Sequence, residues 1–361
     1  MNRNQLKVKQ KIIFLSQFSS SQGSGVGDYS GLLSDSIQSK SIASTELRSW
    51  DESKPNWQRL LNPTTCKNIL SIQFVPYSFG RWGFFLPFFR ELKKVKDLWN
   101  IHIIFHEIWI GDHKFATKKE KLVGKIQKWF ILRMIRSVNP IAIHTTNAAY
   151  LYRLKTEGVK VKYLPMFGTI PVSSQKKEES NDSDVLKIAL FGGCHFGWPW
   201  EKLLIQLKKY EKEVDTAVEF YAIGGLGSQW PDIKCMINNS FRFKIYETGF
   251  LDQSDISGIL KNMDLSVTST PLDILGKSSS AATLLEHGLP QIVHDDGDTP
   301  NAMNWVPDYY MDQIFLLDEN PFRFFQNNGI PEKKTPRSGI EKTAEILLAD
   351  IEKGLATKNQ I

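Results

Sequence analysis

The sequence predicts an α/β protein made of two doubly wound parallel-sheet domains. Short β-branched or aromatic runs alternate with longer segments of helical period along the chain, as strands alternate with crossover helices. A polar segment without period interrupts this alternation once, and the alternation then restarts. Because 361 residues exceed one small core, we expect two domains, with a ligand cleft between the carboxyl ends of their sheets.

The polar segment and the end of the chain set the expected boundaries. Residues 1–170 are predicted to form an N-terminal domain, 171–186 a linker and 187–338 a C-terminal domain. Residues 339–361 contain a last amphipathic helix, which we expect to close the chain and to pack back on the N-terminal domain.

Six short β-branched or aromatic runs in each half predict strands, and the periodic segments between them predict helices. In the first half, strands are predicted at 11–16, 45–50, 69–75, 101–107, 141–145 and 161–166, and helices at 28–39, 84–98, 118–137 and 147–157. In the second half, strands are predicted at 187–191, 218–223, 243–248, 265–268, 291–294 and 314–317, and helices at 199–213, 252–262, 277–287 and 339–354.

Composition and charge narrow the class of protein. With 41% hydrophobic and 23% charged residues the chain is typical of soluble globular proteins, and no apolar run approaches the roughly 20 residues of a membrane span. Its three cysteines are far apart, which favours neither a disulfide framework nor a zinc site and fits the cytoplasm. Residues 1–170 hold 26 Lys/Arg against 11 Asp/Glu, a net charge of +15, and the remainder holds 19 against 28, a net charge of −9. The two halves are therefore expected to meet different partners.

The segment Asp264–Val293 reads as strand, polar loop, helix and strand. In such a unit the loop presents backbone N–H groups at the start of the next helix, where the helix dipole adds partial positive charge. Lys277 adds a full charge, and the serines at 278–280 add hydrogen-bond donors. The segment predicts a phosphate site. A Walker A loop would need glycine where Pro271 stands, so a P-loop kinase is disfavoured.

The order of several motifs resembles the GT-B glycosyltransferases, and within them the retaining family 4 type. The motifs are the glycine loop Gly23–Ser30 after the first strand, KIALFGG at 187–193, AIGGLG at 222–227, ETGFLDQSDISGILKNMDLSV at 247–267, and the GKSSS helix that ends in HGLP. Glycines at 25 and 27 let the backbone approach a ligand closely. The resemblance spans nearly the whole chain and implies the GT-B fold.

The chain departs from the family pattern at the two glutamates that usually precede its Gly-x-Pro motif. Counting back from Gly288, those positions are Thr283 and Leu275, and Glu286 lies one helical turn beyond Thr283. The loop after the first strand of the donor domain carries His195 but no arginine. The chain therefore looks like a divergent subset without the paired glutamates.

The residues and the resemblance together give the candidate site. The expected donor-binding residues are Gly25, Gly27, Gly192, Gly193, His195, Gly276, Lys277, Ser278, Ser279, Thr283 and Glu286. His106, Asp28 and Glu107 are the expected catalytic residues, because a histidine at the carboxyl end of a strand can hydrogen-bond sugar hydroxyls or a developing charge. No metal and no cofactor are expected, and the Asp296–Asp298 loop is interpreted as solvated.

The resemblance implies a retaining, metal-independent glycosyltransferase of the hexosyltransferase type. Such an enzyme would act in the synthesis of cell-surface polysaccharide or glycoconjugate. Its partners would be a nucleotide-sugar donor and a glycan or lipid-linked acceptor. The alternatives are a catalytically silent GT-B protein that binds a glycan or a partner, and another nucleotide-using α/β enzyme such as an NAD-dependent oxidoreductase. No nucleic-acid-binding motif is present, so nucleic acid is not an expected partner.

A basic helical segment, residues 118–136, leaves two interpretations open. Lys118, Lys121, Lys125 and Lys128 form one stripe, and Leu122, Ile126, Trp129 and Phe130 form the next. The helix could lie on an anionic membrane surface, or it could pack on its own sheet with lysine stems covering apolar edges. The aromatic run with basic flanks at 81–94 favours a membrane or lipid-linked acceptor, so a cytoplasmic protein that is peripheral on the inner face is the expectation.

Overall fold

The computed structural model describes residues 10–16, 25–40, 43–50, 68–173, 185–195, 197–306, 308–328 and 332–358. The chain divides into two compact units. The first unit comprises the described parts of 1–146, 150–164 and 340–361, and the second comprises those of 147–149 and 165–339. The chain thus crosses between units after Leu164 and again after Gly339.

The first unit is built on a parallel sheet. Among its described residues six strands pair in the order β2-β1-β3-β4-β5-β6. They are β1 Gln10–Ser16, β2 Ala43–Ser49, β3 Ile69–Phe74, β4 Asn100–Phe105, β5 Ala142–Thr145 and β6 Lys162–Tyr163. The helices are α1 Gly25–Ser39, α2 Pro76–Phe79, α3 Leu86–Val95, α4 Lys118–Val138, α5 Ala148–Thr156 and α11 Gly339–Lys358. Strand β3 is buried along its whole length, and four of its six residues are apolar.

The second unit repeats the plan with a different strand order. Within the part of it that the structure describes, six parallel strands pair in the order β12-β11-β10-β7-β8-β9. They are β7 Val185–Phe191, β8 Ala217–Ile223, β9 Lys244–Gly249, β10 Leu265–Val267, β11 Gln291–Val293 and β12 Ile314–Leu316. The helices are α6 Trp200–Val214, α7 Trp230–Cys235, α8 Gln253–Lys261, α9 Ser279–Glu286 and α10 Pro321–Asn328.

The predicted fold class, two doubly wound parallel sheets with flanking helices, is confirmed. Strand β6 is shorter than the predicted 161–166 and ends before Pro165, which has no N–H to donate to a neighbouring strand. The predicted linker falls inside the range of the second unit, and its residues 174–184 lie outside the described part of the chain. Residues 23 and 24 of the glycine loop lie outside it too.

The last helix, α11, belongs from Ile340 onward to the first unit. Lys40 on the turn after α1 lies 3.3 Å from Glu345 of α11. At Gly354 a Cβ atom would come within 2.2 Å of the Ile141 carbonyl oxygen, so glycine is what lets α11 approach the backbone before β5 so closely.

Candidate functional site

The strand order of the second unit creates a crevice at the carboxyl edge of its sheet. Strands β7 and β10 are neighbours, but the chain leaves β7 towards β8 on one side and leaves β10 towards β11 on the other. The loops that follow β7 and β10 therefore diverge. Such a switch point is where open α/β sheets bind ligands.

The loop after β7 touches the start of α9. Gly192 has φ +89°, and a Cβ atom there would lie 2.5 Å from Ser280 Oγ and 2.6 Å from Ser280 Cβ. Only glycine satisfies both the left-handed backbone and this close approach. The structure thus brings the predicted Gly192 next to the helix whose first turn begins at Ser279.

Ser269 fixes the rest of this loop. Its hydroxyl donates to the Gly193 carbonyl oxygen (2.7 Å) and accepts from the backbone N–H of His195 (3.1 Å). Gly193 and His195 are exposed, on a loop whose backbone is held in place. Ser269 was not among the predicted site residues, although it lies two residues after β10 and therefore at the same edge of the sheet.

The first turn of α9 is accessible. Helix α9 starts at Ser279 rather than at the predicted residue 277, because Ser278 is the N-cap and accepts from the backbone N–H of Ala281 (3.1 Å). Residues 272–277 form a 3₁₀ turn before it, Lys277 is exposed, and Gly276 and Ser279 are half-buried. Backbone N–H groups at the helix start, serine hydroxyls and a nearby ammonium group together suit an anion such as phosphate.

Two predicted donor-binding residues have other partners. Thr283 has no exposed surface, and its hydroxyl accepts from the backbone N–H of Thr169 (3.2 Å). Glu286 is buried and accepts from the backbone N–H of Gly168 (2.8 Å). The structure therefore corrects the expectation for both side chains: they tether the segment 168–169 to α9 instead of facing a ligand.

Burial also changes the acidity of Glu286. It raises the pKa of this carboxyl to about 7, and hydrogen bonds from the backbone N–H groups of Gly168 and Gly339 only partly oppose the rise. A Cβ atom at Gly339 would lie 2.2 Å from Glu286 Oε1. One carboxyl group thus binds the backbone close to both points where the chain passes from one unit to the other.

The predicted catalytic residues lie in the first unit. His106 follows β4 directly and is buried, with Nε2 2.9 Å from Gln73 Oε1 and its ring 5.0 Å from the ring of Tyr29 in an edge-on contact. Glu107 is half-buried beside it and donates its backbone N–H to Phe74 (3.2 Å). Since Tyr29 is a residue of α1, this ring contact packs α1 against His106.

The start of α1 differs from a phosphate-binding loop. Gly25, Gly27 and Asp28 lie within the first turn of the helix itself. The exposed Asp28 carboxylate complements the positive end of the helix dipole and disfavours a second anion there. The described part of the predicted glycine loop therefore gives no separate anion site, and the donor-binding role of Gly25 and Gly27 stays a prediction.

An exposed aromatic ring lies at the carboxyl edge of the second sheet and was missed in the sequence. Phe250 follows β9, is 91% exposed, and lies against Gly225, where a Cβ atom would be 2.8 Å from Phe250 Cζ. The backbone N–H of Gly224 donates to the Gly249 carbonyl oxygen (3.0 Å), which joins the two loops. An exposed flat ring at this edge can stack on a planar ligand group.

Helix α4 exposes three of the four residues of its apolar stripe, and Phe130 is half-buried. Leu122, Ile126 and Trp129 are 62%, 41% and 54% exposed. The inward face of α4 instead begins with Gly124 and Gln127, whose side-chain oxygen accepts from the backbone N–H of Ile110 (3.1 Å). The same inward face buries Ile131 and Met134, so helix α4 does pack against its own unit, and the membrane interpretation of the exposed side chains stays a prediction.

The basic stripe of α4 is only partly available to a partner. Lys118, Lys121 and Lys125 are exposed. Lys128 pairs with Glu157 and lies over the Trp109 ring at 5.4 Å. In the part of the chain that is described, no helix is long and apolar enough to cross a membrane, and no group of three or more metal-ligating side chains occurs.

Comparison with known proteins bears on the fold. By sequence, the chain matches no family model and no curated protein. By structure, it resembles a Listeria monocytogenes protein provisionally assigned as a UDP-N-acetylglucosamine 2-epimerase, with TM-score 0.53, 13% identity and 97% of each chain covered. It also resembles sucrose-phosphate synthase from Thermosynechococcus elongatus, with TM-score 0.52, 8% identity and 98% of each chain covered.

A third similar structure is that of S. aureus MnaA with UDP, at TM-score 0.50 and 11% identity, covering 96% of this chain and 97% of that one. These likenesses and the two parallel sheets define the class: the chain has the GT-B fold. At this level of identity the comparisons establish the fold, and the function has to be argued from the residues.

Proposed function

We propose that this protein is a glycosyltransferase that binds a nucleotide-sugar donor at the carboxyl edge of its second sheet. One observation carries the proposal: the loop after β7 and the accessible start of α9 meet at the switch point, where Gly192 touches Ser280. A diphosphate there would accept from backbone N–H groups and from the hydroxyls of Ser278 and Ser279, with Lys277 as the nearby cation. The similar structures of the provisionally assigned UDP-N-acetylglucosamine 2-epimerase and of MnaA with UDP support the choice of a nucleotide ligand.

The chemistry would rest on stabilising the leaving diphosphate. Negative charge grows on that group as the sugar bond breaks, and each preorganised donor aimed at such charge is typically worth ~3 kcal/mol. The Gly193 N–H and the His195 ring belong to a loop held by Ser269, so they would need little reorganisation. In the retaining mechanism that the resemblance implies, the leaving phosphate assists deprotonation of the acceptor and no protein nucleophile is needed. His106 would hydrogen-bond the sugar, with Asp28 and Glu107 as further candidates.

We further propose that Phe250 stacks on the nucleobase. Its exposed ring lies on the loop after β9, on the same sheet edge as the phosphate site. Stacking is tolerant of base identity, because every base has a π-face. The contact therefore supports a nucleotide ligand without choosing among bases.

The acceptor is proposed to be a glycan or a lipid-linked glycan at an anionic membrane surface. Leu122, Ile126 and Trp129 would enter the interface, with Lys118, Lys121 and Lys125 facing lipid headgroups. Each basic residue near such a surface contributes about 1 kcal/mol. Peripheral attachment from the cytoplasmic side, in the synthesis of surface polysaccharide or glycoconjugate, is the role that fits these side chains.

A thermal-shift screen against UDP, GDP, ADP and NAD tests the donor class. Stabilisation by a nucleoside diphosphate but not by NAD is expected, and stabilisation by NAD alone would instead support an oxidoreductase. Lys277→Ala should raise the donor KM or lower kcat at least tenfold with the fold intact. Lys209→Ala, which removes an exposed lysine on α6, is the matched control. Unchanged kinetics in Lys277→Ala would remove the phosphate role.

A catalytically silent GT-B protein is the second candidate. The observation that favours it is the absence of a carboxylate at the two positions where the family carries glutamates: Leu275 and Thr283 stand there, and both are buried. Transfer and hydrolysis assays with a panel of nucleotide sugars separate the two candidates. Binding of a nucleoside diphosphate without any turnover would select the silent protein.

A further inference from the structure

A row of polar side chains crosses the sheet of the first unit below His106. Ser71 on β3 and His102 on β4 are register partners, as are His144 on β5 and Lys162 on β6. Partners in parallel strands project to the same face, so these side chains lie on one face of the sheet. Ser71, His102 and His144 have no exposed surface. Buried polar groups are costly unless each of them is hydrogen-bonded.

The row is hydrogen-bonded from end to end. At one end, His106 Nε2 lies 2.9 Å from Gln73 Oε1, and Gln73 Nε2 lies 3.0 Å from Ser71 Oγ. In the middle, Ser71 Oγ lies 2.9 Å from His102 Nδ1, and His102 Nε2 lies 2.8 Å from His144 Nδ1. At the other end, His144 Nε2 lies 2.9 Å from Asp350 Oδ2. Lys162 pairs with the other carboxylate oxygen of Asp350. This relay, from Asp350 to His106, thus joins helix α11 to the end of β4.

The charge on Asp350 determines which atom donates and which accepts in each hydrogen bond of the row. Burial disfavours ionisation of Asp350, but hydrogen bonds from His144 and Lys162 outweigh it and lower the pKa to about 2. A carboxylate can only accept, so the proton between the two groups belongs to His144 Nε2. Burial lowers the pKa of His144 and that of His102, so each ring is neutral and carries one proton.

The remaining protons follow in order. His144 Nδ1 has no proton and accepts from His102 Nε2, and His102 Nδ1 therefore accepts from the Ser71 hydroxyl. With its only hydrogen used, Ser71 Oγ accepts from the Gln73 amide nitrogen, which leaves Gln73 Oε1 towards His106. The reverse order would place an unprotonated ring nitrogen of His144 against the Asp350 carboxylate, or require a second proton on a buried ring.

We infer that Asp350, through His144, His102, Ser71 and Gln73, holds the ring proton of His106 on Nε2. His106 Nδ1 is then the acceptor nitrogen, which suits a hydrogen bond from a sugar hydroxyl; this use of the tautomer rests on the proposed function. The five relay residues are positioning residues. Because the buried polar groups of this row are hydrogen-bonded to one another, the two histidines avoid the cost of unpaired burial.

Histidine ring ¹⁵N NMR of the full chain, labelled at histidine, tests the inference directly. In the wild-type protein His106 should show a protonated Nε2 and an unprotonated Nδ1. Asp350→Asn, at a half-buried site on α11, and Ser71→Ala, inside the relay, should each populate the opposite tautomer of His106. Glu345→Gln makes the same carboxylate-to-amide change on α11 outside the relay and should leave the His106 signals unchanged.

Kinetics separate this inference from the proposed function. In Asp350→Asn, kcat should fall about tenfold with the donor KM unchanged, because a positioning residue acts on the reacting geometry and not on donor binding. A wild-type His106 protonated at Nδ1, or an Nε2 tautomer that persists in both folded relay variants, would overturn the inference. If the wild-type protein shows the expected tautomer but neither binds a nucleotide nor transfers a sugar, the proposed function alone is overturned.

Discussion

The contact between Gly192 and α9 predicts that Gly192→Ala is destabilising for two reasons. Substitutions at two other glycines of the same unit separate the two contributions. Gly192→Ala meets two penalties: a left-handed backbone, worth ~1–2 kcal/mol, and overlap with Ser280, worth ~1–3 kcal/mol. Gly227 has φ +86° with nothing within 4 Å of a Cβ atom, so Gly227→Ala meets the first penalty alone. Gly197 meets neither, and Gly197→Ala should stay within about 0.5 kcal/mol of the wild type.

Denaturant unfolding of the three variants should therefore give losses of ~2–5, ~1–2 and about 0 kcal/mol for Gly192, Gly227 and Gly197. Adding Ser280→Gly to Gly192→Ala should recover the stability lost to the overlap, because it removes the Ser280 Cβ that lies 2.6 Å from the new methyl position. The penalty for the left-handed backbone should remain. Titration with UDP should show about tenfold weaker binding for Gly192→Ala, since the loop and the helix start are pushed apart. If Gly192→Ala is no more costly than Gly227→Ala, the loop does not touch α9 and the reasoning fails.

Three further predictions concern other parts of the molecule. Burial raises the pKa of Glu286 from 4.5 to about 7, so its contribution to stability is present below pH 4.5 and is lost, by up to about 3 kcal/mol, as pH rises through 7. Glu286→Gln should flatten this part of the stability curve from denaturant unfolding, whereas Glu345→Gln should not. Phe250→Ala should weaken UDP binding about tenfold or more by calorimetry; Phe115→Ala, also a highly exposed phenylalanine, is the control, and equal losses would contradict the stacking role. Leu122→Ser with Trp129→Ser should reduce sedimentation with phosphatidylglycerol vesicles at least tenfold. An equal reduction by Ile205→Ser, 55% exposed on α6, would argue against an α4 surface.

The strands were predictable because their signal is local. Runs such as ILSIQF at 69–74 are buried along their whole length and are mostly apolar, with the polar Ser71 and Gln73 hydrogen-bonded to each other. The strand-loop-helix-strand order of residues 264–293 was predictable for the same reason: strand, capping serine and helix follow one another within 30 residues. The helix starts two residues later than predicted, because Ser278 is its N-cap and accepts from the Ala281 backbone N–H.

What could not be predicted depends on contacts distant in sequence. Glu286 accepts from Gly168, 118 positions away, and no pattern around either residue signals the pair. Asp350 and His144 are 206 positions apart. On α4, the sequence left the orientation of the apolar stripe open, and the packing contacts decide it: Gly124 permits a close approach to the Ile110 carbonyl oxygen, and Gln127 accepts from the Ile110 N–H. Tertiary contacts decided which face turned inward.

Helix α9 serves the molecule at both of its ends. Its first turn borders the switch-point crevice, its last residue holds the backbone at both chain crossings, and residues 281–286 are all buried. Hardly any position of this helix is therefore available for evolutionary change without a loss of stability. Proteins related to this chain should consequently differ more in the loops after β8 and β9, around Gly225 and Phe250, than in the helix itself.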